Sequence, residues 1–281
     1  MDSSKSHSFD DGSEIHHYIP KYFIRGFADE KGMVWMYDKR TARFHGSKAP
    51  KQVFYEPSGN AAYWGAQRNT LPEMAFKQVD DLQANRIKDF LALPHEEVSE
   101  NLHGYLSQHM MLQYLRVPKN KGKFEELYRN MPKWSAILPD RPPQSLTAPN
   151  DGTFKRTSRA FLSDMFLRAL LEIDKGPWRS RIYEHGTDGI LVLTDNPVVY
   201  LNDPITTLDF MGPCMMSVSQ RRLYVRGDFP VPITPLETLV LYNVMAIEQA
   251  ERLICASSQL FLRQAVEAWT IARKLVAERS S

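Results

Sequence analysis

Side chains able to move a proton or grip a phosphate fall in a few short stretches of this chain. His16-His17 stand in an extended segment, where neighbours face opposite ways, so one or the other can serve a given site. His109, Gln113 and Arg116 are spaced i, i+4 and i+7, which is one face of a helix. Asp195-Asn196 end the apolar run Ile190–Leu193 and precede Pro197, so an acid is held where a buried strand stops. Imidazole, carboxylate, amide and guanidinium together suit charge development on phosphorus better than acyl transfer. In that reading His16 or His17 is a general base and Gln113 a helper, with Arg25 and Arg116 as phosphate clamps. Tyr55 and Asn196 are further substrate-binding candidates. Asp195 is a general base or a metal ligand; with Glu73 or Asp80, two turns apart on one helix, it would supply oxygen ligands for Mg or Mn.

Each group has a plainer use. A histidine can be a buried structural residue, and a polar helix row can simply face water. Arg116, if buried, needs an acidic partner, and Asp195 is the candidate for a clamp between lobes. Asp-Asn-Pro is most simply a turn in which the Asp accepts local amides. Other signatures are missing from the sequence: no H-E-x-x-H, no Cys/His quartet, no phosphate-cradling glycine loop and no G-x-S-x-G. No Ser or Cys stands in a recognisable nucleophile context.

The elements that must carry these residues follow from periodicity. Residues 1–13 read as a disordered tail. Met33–Tyr37 is a strand leaving a Gly32 turn, expected to pair with Val53-Phe54-Tyr55. Leu71–Leu93 has helical spacing, with Thr70 as cap, Pro72 in the first turn and Pro94 as stop. A second helix covers about Val98–Val117. Residues 139–157, with four prolines and Asn150-Asp151-Gly152, read as a linker or long loop between a lobe at 14–138 and a lobe at 158–281. Ser158–Ile173 is expected as a helix, followed by strands near Ile190, Val198, Met215, Leu223 and Leu239. Helical sequence runs from about Val244 to Arg279. The apolar run at Ile190 is expected to be a central strand. The fold class is α+β: a helical N-terminal lobe with a small antiparallel β unit, packed on a C-terminal lobe with a mixed sheet.

Bulk composition bounds the rest. With 43% hydrophobic and 24% charged residues over 281, the chain is globular. A net charge of +2 neither demands nucleic acid nor excludes it. No window resembles a membrane span or a signal peptide, and the two cysteines, Cys214 and Cys255, lie in apolar surroundings. A cytoplasmic protein is expected.

Several of these motifs occur in one order. His16-His-Tyr-Ile-Pro20, the aromatic–Arg–Gly–Phe run at 22–27, Val34-Trp-Met-Tyr-Asp-Lys39, Gln-x-x-Arg-x-Pro at 113–118, Thr194-Asp-Asn-Pro-Val198 and Ile233-Thr-Pro-Leu236 span most of the chain. Together they resemble a large, chiefly bacterial family of uncharacterised proteins. That family usually has Ser where Thr194 stands, and its Glu on the first long helix corresponds to Asp80 or Glu73. The resemblance implies no established activity. It does imply that His16 or His17, Arg25, Gln113, Arg116, Asp195 and Asn196 form one recurring set, economically explained by one shared site. The function expected is a nuclease-like phosphodiester hydrolase whose partner is nucleic acid or a nucleotide. The alternative is a protein-interaction or ligand-sensing protein in which the set is a structural network and Tyr63 and Trp64 meet the partner.

Overall fold

In the computed structural model the described residues are 15–57, 62–64, 67–69, 71–120, 180–184, 186, 189–201, 212–230 and 234–280. The expected linker, the 158–173 helix and the side chains of Tyr63 and Trp64 lie outside them.

The fold is α+β, with two four-stranded sheets as its frame. Strands β1 (Ile15–His17) and β4 (Tyr55–Pro57) form a separate pair, as do β5 (Ala62–Trp64) and β6 (Gln67–Asn69). One sheet has the order β3 (Arg43–Lys48), β2 (Val34–Asp38), β12 (Leu253–Ala256), β8 (Leu193–Thr194). The other runs β7 (Ser180–Glu184), β11 (Arg222–Arg226), β10 (Cys214–Ser217), β9 (Val198–Tyr200). Helices α1 (Lys21–Arg25), α2 (Leu71–Ala92), α3 (Glu100–Arg116), α4 (Pro235–Gln249) and α5 (Gln259–Ser280) complete the described frame. No described helix is long and apolar enough to cross a membrane.

Several expectations give way here. Every described strand pair is antiparallel, where a mixed sheet was expected in the C-terminal half. β2 pairs with β3 instead of with residues 53–55, because the turn at 39–42 brings 43–48 back beside it and Tyr55 joins β1. The expected strand at Leu239 is helix α4. Thr234 accepts from Glu237 N–H and Glu237 returns to the Thr234 amide, a capping box reinforced by Pro235 in the first turn. The expected helix from Val244 onward is cut by the four-residue strand β12, which pairs with β2 on one side and β8 on the other. The sheet therefore takes strands from both ends of the chain.

The Ile190 run is an edge and not a central strand: only Leu193–Thr194 joins the ladder, and β9 edges the other sheet. Residues 191–200 are nonetheless all buried, because α4 covers them with amide side chains as well as apolar ones. Asn243 accepts from Val192 N–H at 3.0 Å and donates to the Ile190 carbonyl at 2.8 Å. Gln249 does the same for both backbone groups of Tyr200, at 3.3 and 2.7 Å. The backbone polar groups that a ladder would have paired are satisfied by these two residues. Thr194-Asp195-Asn196-Pro197 is the crossing from one sheet to the other.

Candidate functional site

Two polar centres draw in the residues singled out above, and they differ in character. The first surrounds the end of α4. The Asp195 carboxylate accepts the backbone amides of Glu251, Arg252 and Leu253 at 3.0, 2.8 and 2.9 Å. Burial pushes its carboxyl up, with these three amides pulling back. Asn196 donates to the Gln249 carbonyl at 3.3 Å, and its own amide meets the Thr194 hydroxyl. Lys39, from the Tyr-Asp-Lys strand end, places its ammonium on the carbonyls of Ile247, Glu248 and Ala250 at 2.8, 2.7 and 3.0 Å. Lys119 reaches the Gln249 carbonyl at 3.1 Å. The last carbonyls of a helix have no partner within it and carry its negative pole. Here two lysines and an asparagine, all remote in sequence, close that end. Asp38 completes the set, accepting the amides of Arg40 and Thr41 and pairing with Arg252 at 2.8 Å. This centre is architecture.

The second centre lies where β1, α1, α2 and α3 meet. Arg116 is buried and forms a two-pronged ion pair with Asp80, at 2.5 and 3.0 Å. Asp80 thus takes the role expected of Asp195 as the arginine's partner. The same guanidinium reaches the His17 backbone carbonyl at 3.4 Å, so Arg116 meets the main chain of the N-terminal strand, without Asp195. One helix turn before Gln113, His109 is fully buried against Phe23, ring centroids 4.8 Å apart. Tyr22 OH lies 3.3 Å from its Nδ1. Burial, with Arg116 nearby, lowers the His109 pKa to about 3, so the ring is neutral. Among the described residues, His109 Nε2, Gln113 Oε1, His17 Nε2 and Gln83 Oε1 are buried without a hydrogen-bond partner. Gln83 lies on α2 between Asp80, which meets Arg116, and Arg86, which covers the ring of Tyr105 at 4.4 Å.

Beside His17 the surface is basic and aromatic. Lys48, Lys51, Gln52 and Tyr55 line an open cavity of about 390 Å³. Tyr55 is 43% exposed, and its ring stands 6.0 Å from that of His17. The residue before it, Phe54, is held at φ 54, a left-handed conformation that a bulky residue adopts only where its surroundings impose it. Those surroundings are the core: Phe54 is 1% exposed, and Tyr18 N–H donates to its carbonyl at 3.1 Å. The strain turns the chain so that Phe54 points inward and Tyr55 outward. Burial lowers the His17 pKa, and the positive field of Lys21 and Arg116 adds to it, against the backbone of Lys51 and Pro50. His17 is neutral at pH 7.

The remaining predicted residues divide. His16 is buried in β1 opposite Glu56, and its neighbour His17 faces Tyr55, so of the two His17 belongs to this centre. Arg25 is exposed in the last turn of α1. Glu73 is in the first turn of α2, its side chain outside the described residues. Of the expected metal ligands, Asp195 is taken up by amides and Asp80 by Arg116, and among the described residues no three His, Cys, Asp or Glu side chains converge. Sequence reasoning missed Lys48, Lys51, Gln52, Tyr22 and Gln83. The first three had no signal beyond a short basic stretch around Pro50.

Comparison with known families bears on these motifs. The family model described as "Protein of unknown function (DUF4238)" matches residues 15–258. The chain belongs to this family. The DUF4238 match begins at β1 and ends just after β12, so both polar centres lie inside it and α5 lies outside. No curated protein and no solved structure matches the chain.

Proposed function

We propose that this DUF4238 protein binds a phosphate-bearing ligand of the nucleotide or single-stranded nucleic-acid class at the Lys48–Lys51–Tyr55 cavity, and cleaves a phosphodiester there with neutral His17 as base. The observation that carries the reading is the exposed Tyr55, aimed outward by a strained Phe54, between lysines and against an uncharged imidazole. Two lysines supply charge for phosphate and the tyrosine a stacking face, the combination that binds unpaired bases without reading sequence. His17 takes the proton of the attacking water or hydroxyl as that oxygen bonds to phosphorus. The P–O bond to the leaving alkoxide breaks and that alkoxide takes the proton from His17, while Arg116 holds the His17 backbone. Buried reduced cysteines, Cys214 and Cys255, suit a cytoplasmic setting.

A second reading has its own support. Asp195, Asn196, Asp80 and Arg116 all have structural partners, as expected of a polar network in a non-enzymatic ligand-sensing or interaction protein.

Fluorescence anisotropy with a labelled short single-stranded DNA, competed by ADP, tests the binding. Stacking and phosphate contacts of ordinary strength predict that Tyr55→Ala and Lys51→Ala each weaken binding about tenfold, with loss at high salt. Absence of binding at low salt would sink the proposal. His17→Ala retaining binding while losing cleavage of bis(p-nitrophenyl) phosphate supports catalysis. Binding with no turnover in the unaltered protein favours the sensor.

A further inference from the structure

At the opposite end of α3 a different pair of groups meets. Ser180, the first residue of β7, has its Oγ 2.7 Å from His103 Nδ1. The two are 77 residues apart, which hides them from any reading of sequence motifs. They lie 13 positions before Arg116 along α3, about 20 Å from the Arg116 centre by helical rise, so they are a separate site. Both are half-buried. Burial lowers the His103 pKa, while Glu100 one turn earlier on α3 opposes the shift. The ring is therefore uncharged at pH 7, and Nδ1 can accept the serine proton. Tyr224, fully buried, donates to the His103 carbonyl at 3.1 Å and lies 3.2 Å from Ser107 Oγ, which fixes the helix turn that carries the imidazole. The ring of Tyr224 stands 5.7 Å from that of His103. A hydroxyl on a neutral imidazole that is itself oriented by its surroundings is the arrangement of an activated nucleophile.

We propose that Ser180 and His103 are a nucleophile–base pair acting on carboxylic esters. The Ser180 Oγ bonds to the carbonyl carbon as its proton passes to His103 Nδ1. The ester C–O bond breaks, and the departing alkoxide takes that proton, leaving an acyl-serine. Water then attacks the acyl carbon, giving its proton to His103, and the Ser180 oxygen leaves and recovers it. Tyr224 is a positioning residue.

A fluorophosphonate probe tests this directly, since its phosphorus replaces the acyl carbon and fluoride is the group expelled. The full chain should gain one adduct, mapped by peptide mass spectrometry to Ser180, and should hydrolyse p-nitrophenyl acetate. Ser180→Ala should lose both. His103→Gln should slow labelling ~100-fold or more, the ordinary worth of a general base. Labelling should also fall in acid as His103 is protonated. Folding of each variant is checked by its unfolding midpoint, and the adduct on the unaltered protein stands whatever the variants do. No adduct at Ser180 in folded protein, or an adduct formed equally fast by folded His103→Gln, overturns the proposal.

Discussion

Asp195 and Leu253 bind each other twice. The Asp195 amide donates to the Leu253 carbonyl at 3.0 Å, and the Leu253 amide donates to the Asp195 carboxylate at 2.9 Å. With the amides of Glu251 and Arg252 on the same carboxylate, Asp195 satisfies three N–H groups of the turn after α4. Asp195→Ala leaves those donors without an acceptor, at a cost of about 3–5 kcal/mol in unfolding free energy. Equilibrium urea unfolding measures this. A loss below about 1 kcal/mol, with a loss of ligand binding or turnover, would return Asp195 to the list of site residues.

Arg116 and Asp80 should be energetically coupled, and Arg116 and Asp195 should not. A buried guanidinium without its carboxylate is strongly destabilising, so either single alanine variant of the Arg116–Asp80 pair pays most of what the double does. Double-mutant cycles in urea should give a coupling of about 1–3 kcal/mol for Arg116/Asp80 and additivity within about 0.5 kcal/mol for Arg116/Asp195. The reverse pattern would contradict the assigned partners.

Lys39 converges on three carbonyls at once, with its ammonium also 5.1 Å from the Trp269 ring centroid. Lys39→Met keeps much of the stem and removes the charge, and should cost about 2–3 kcal/mol. Lys39→Arg should not restore it, because a planar fork cannot direct one nitrogen at three oxygens. Thermal and urea unfolding of the two variants check both statements; full rescue by arginine would mean that charge alone matters.

What could be read from sequence was what is local. Helices α2 and α3 were legible from apolar spacing and from Pro94 and Pro118, and the strand at 34–38 from its aromatic run and Gly32 turn. Strand β12 was not, because four apolar residues between two helical stretches have no periodicity of their own and become a strand only through β2 and β8. Helix α4 was legible in principle, since Thr234-Pro235-Leu236-Glu237 carries both a capping box and a first-turn proline. The motifs of the site were visible as residues, but their partners were not. Nothing in Asp195 or Arg116 tells which of several acids and amides lies opposite. The turn reading of Asp195 expected local amides, whereas the three that its carboxylate accepts come from residues 56 to 58 positions further along the chain.

The buried histidine on α3 makes stability depend on acidity in a direction that can be worked out. Unfolded, His109 takes a proton near pH 6.5; folded, burial and Arg116 lower its pKa to about 3. Above pH 6.5 neither state is protonated at this ring and its full contribution is present. As pH falls from 6.5 towards 3, the unfolded chain binds a proton that the folded one refuses, so stability drops. At pH 5 the loss from His109 amounts to about 2 kcal/mol. His109→Gln keeps an uncharged polar group beside Tyr22 and has no proton to gain. Its urea-unfolding free energy should therefore fall about 2 kcal/mol less than that of the unaltered protein between pH 7 and pH 5. His17 and His103, whose pKa values are also lowered, give the variant a residual slope of the same sign. Parallel curves for the two proteins would mean that water reaches the ring and that His109 is protonated in the folded state.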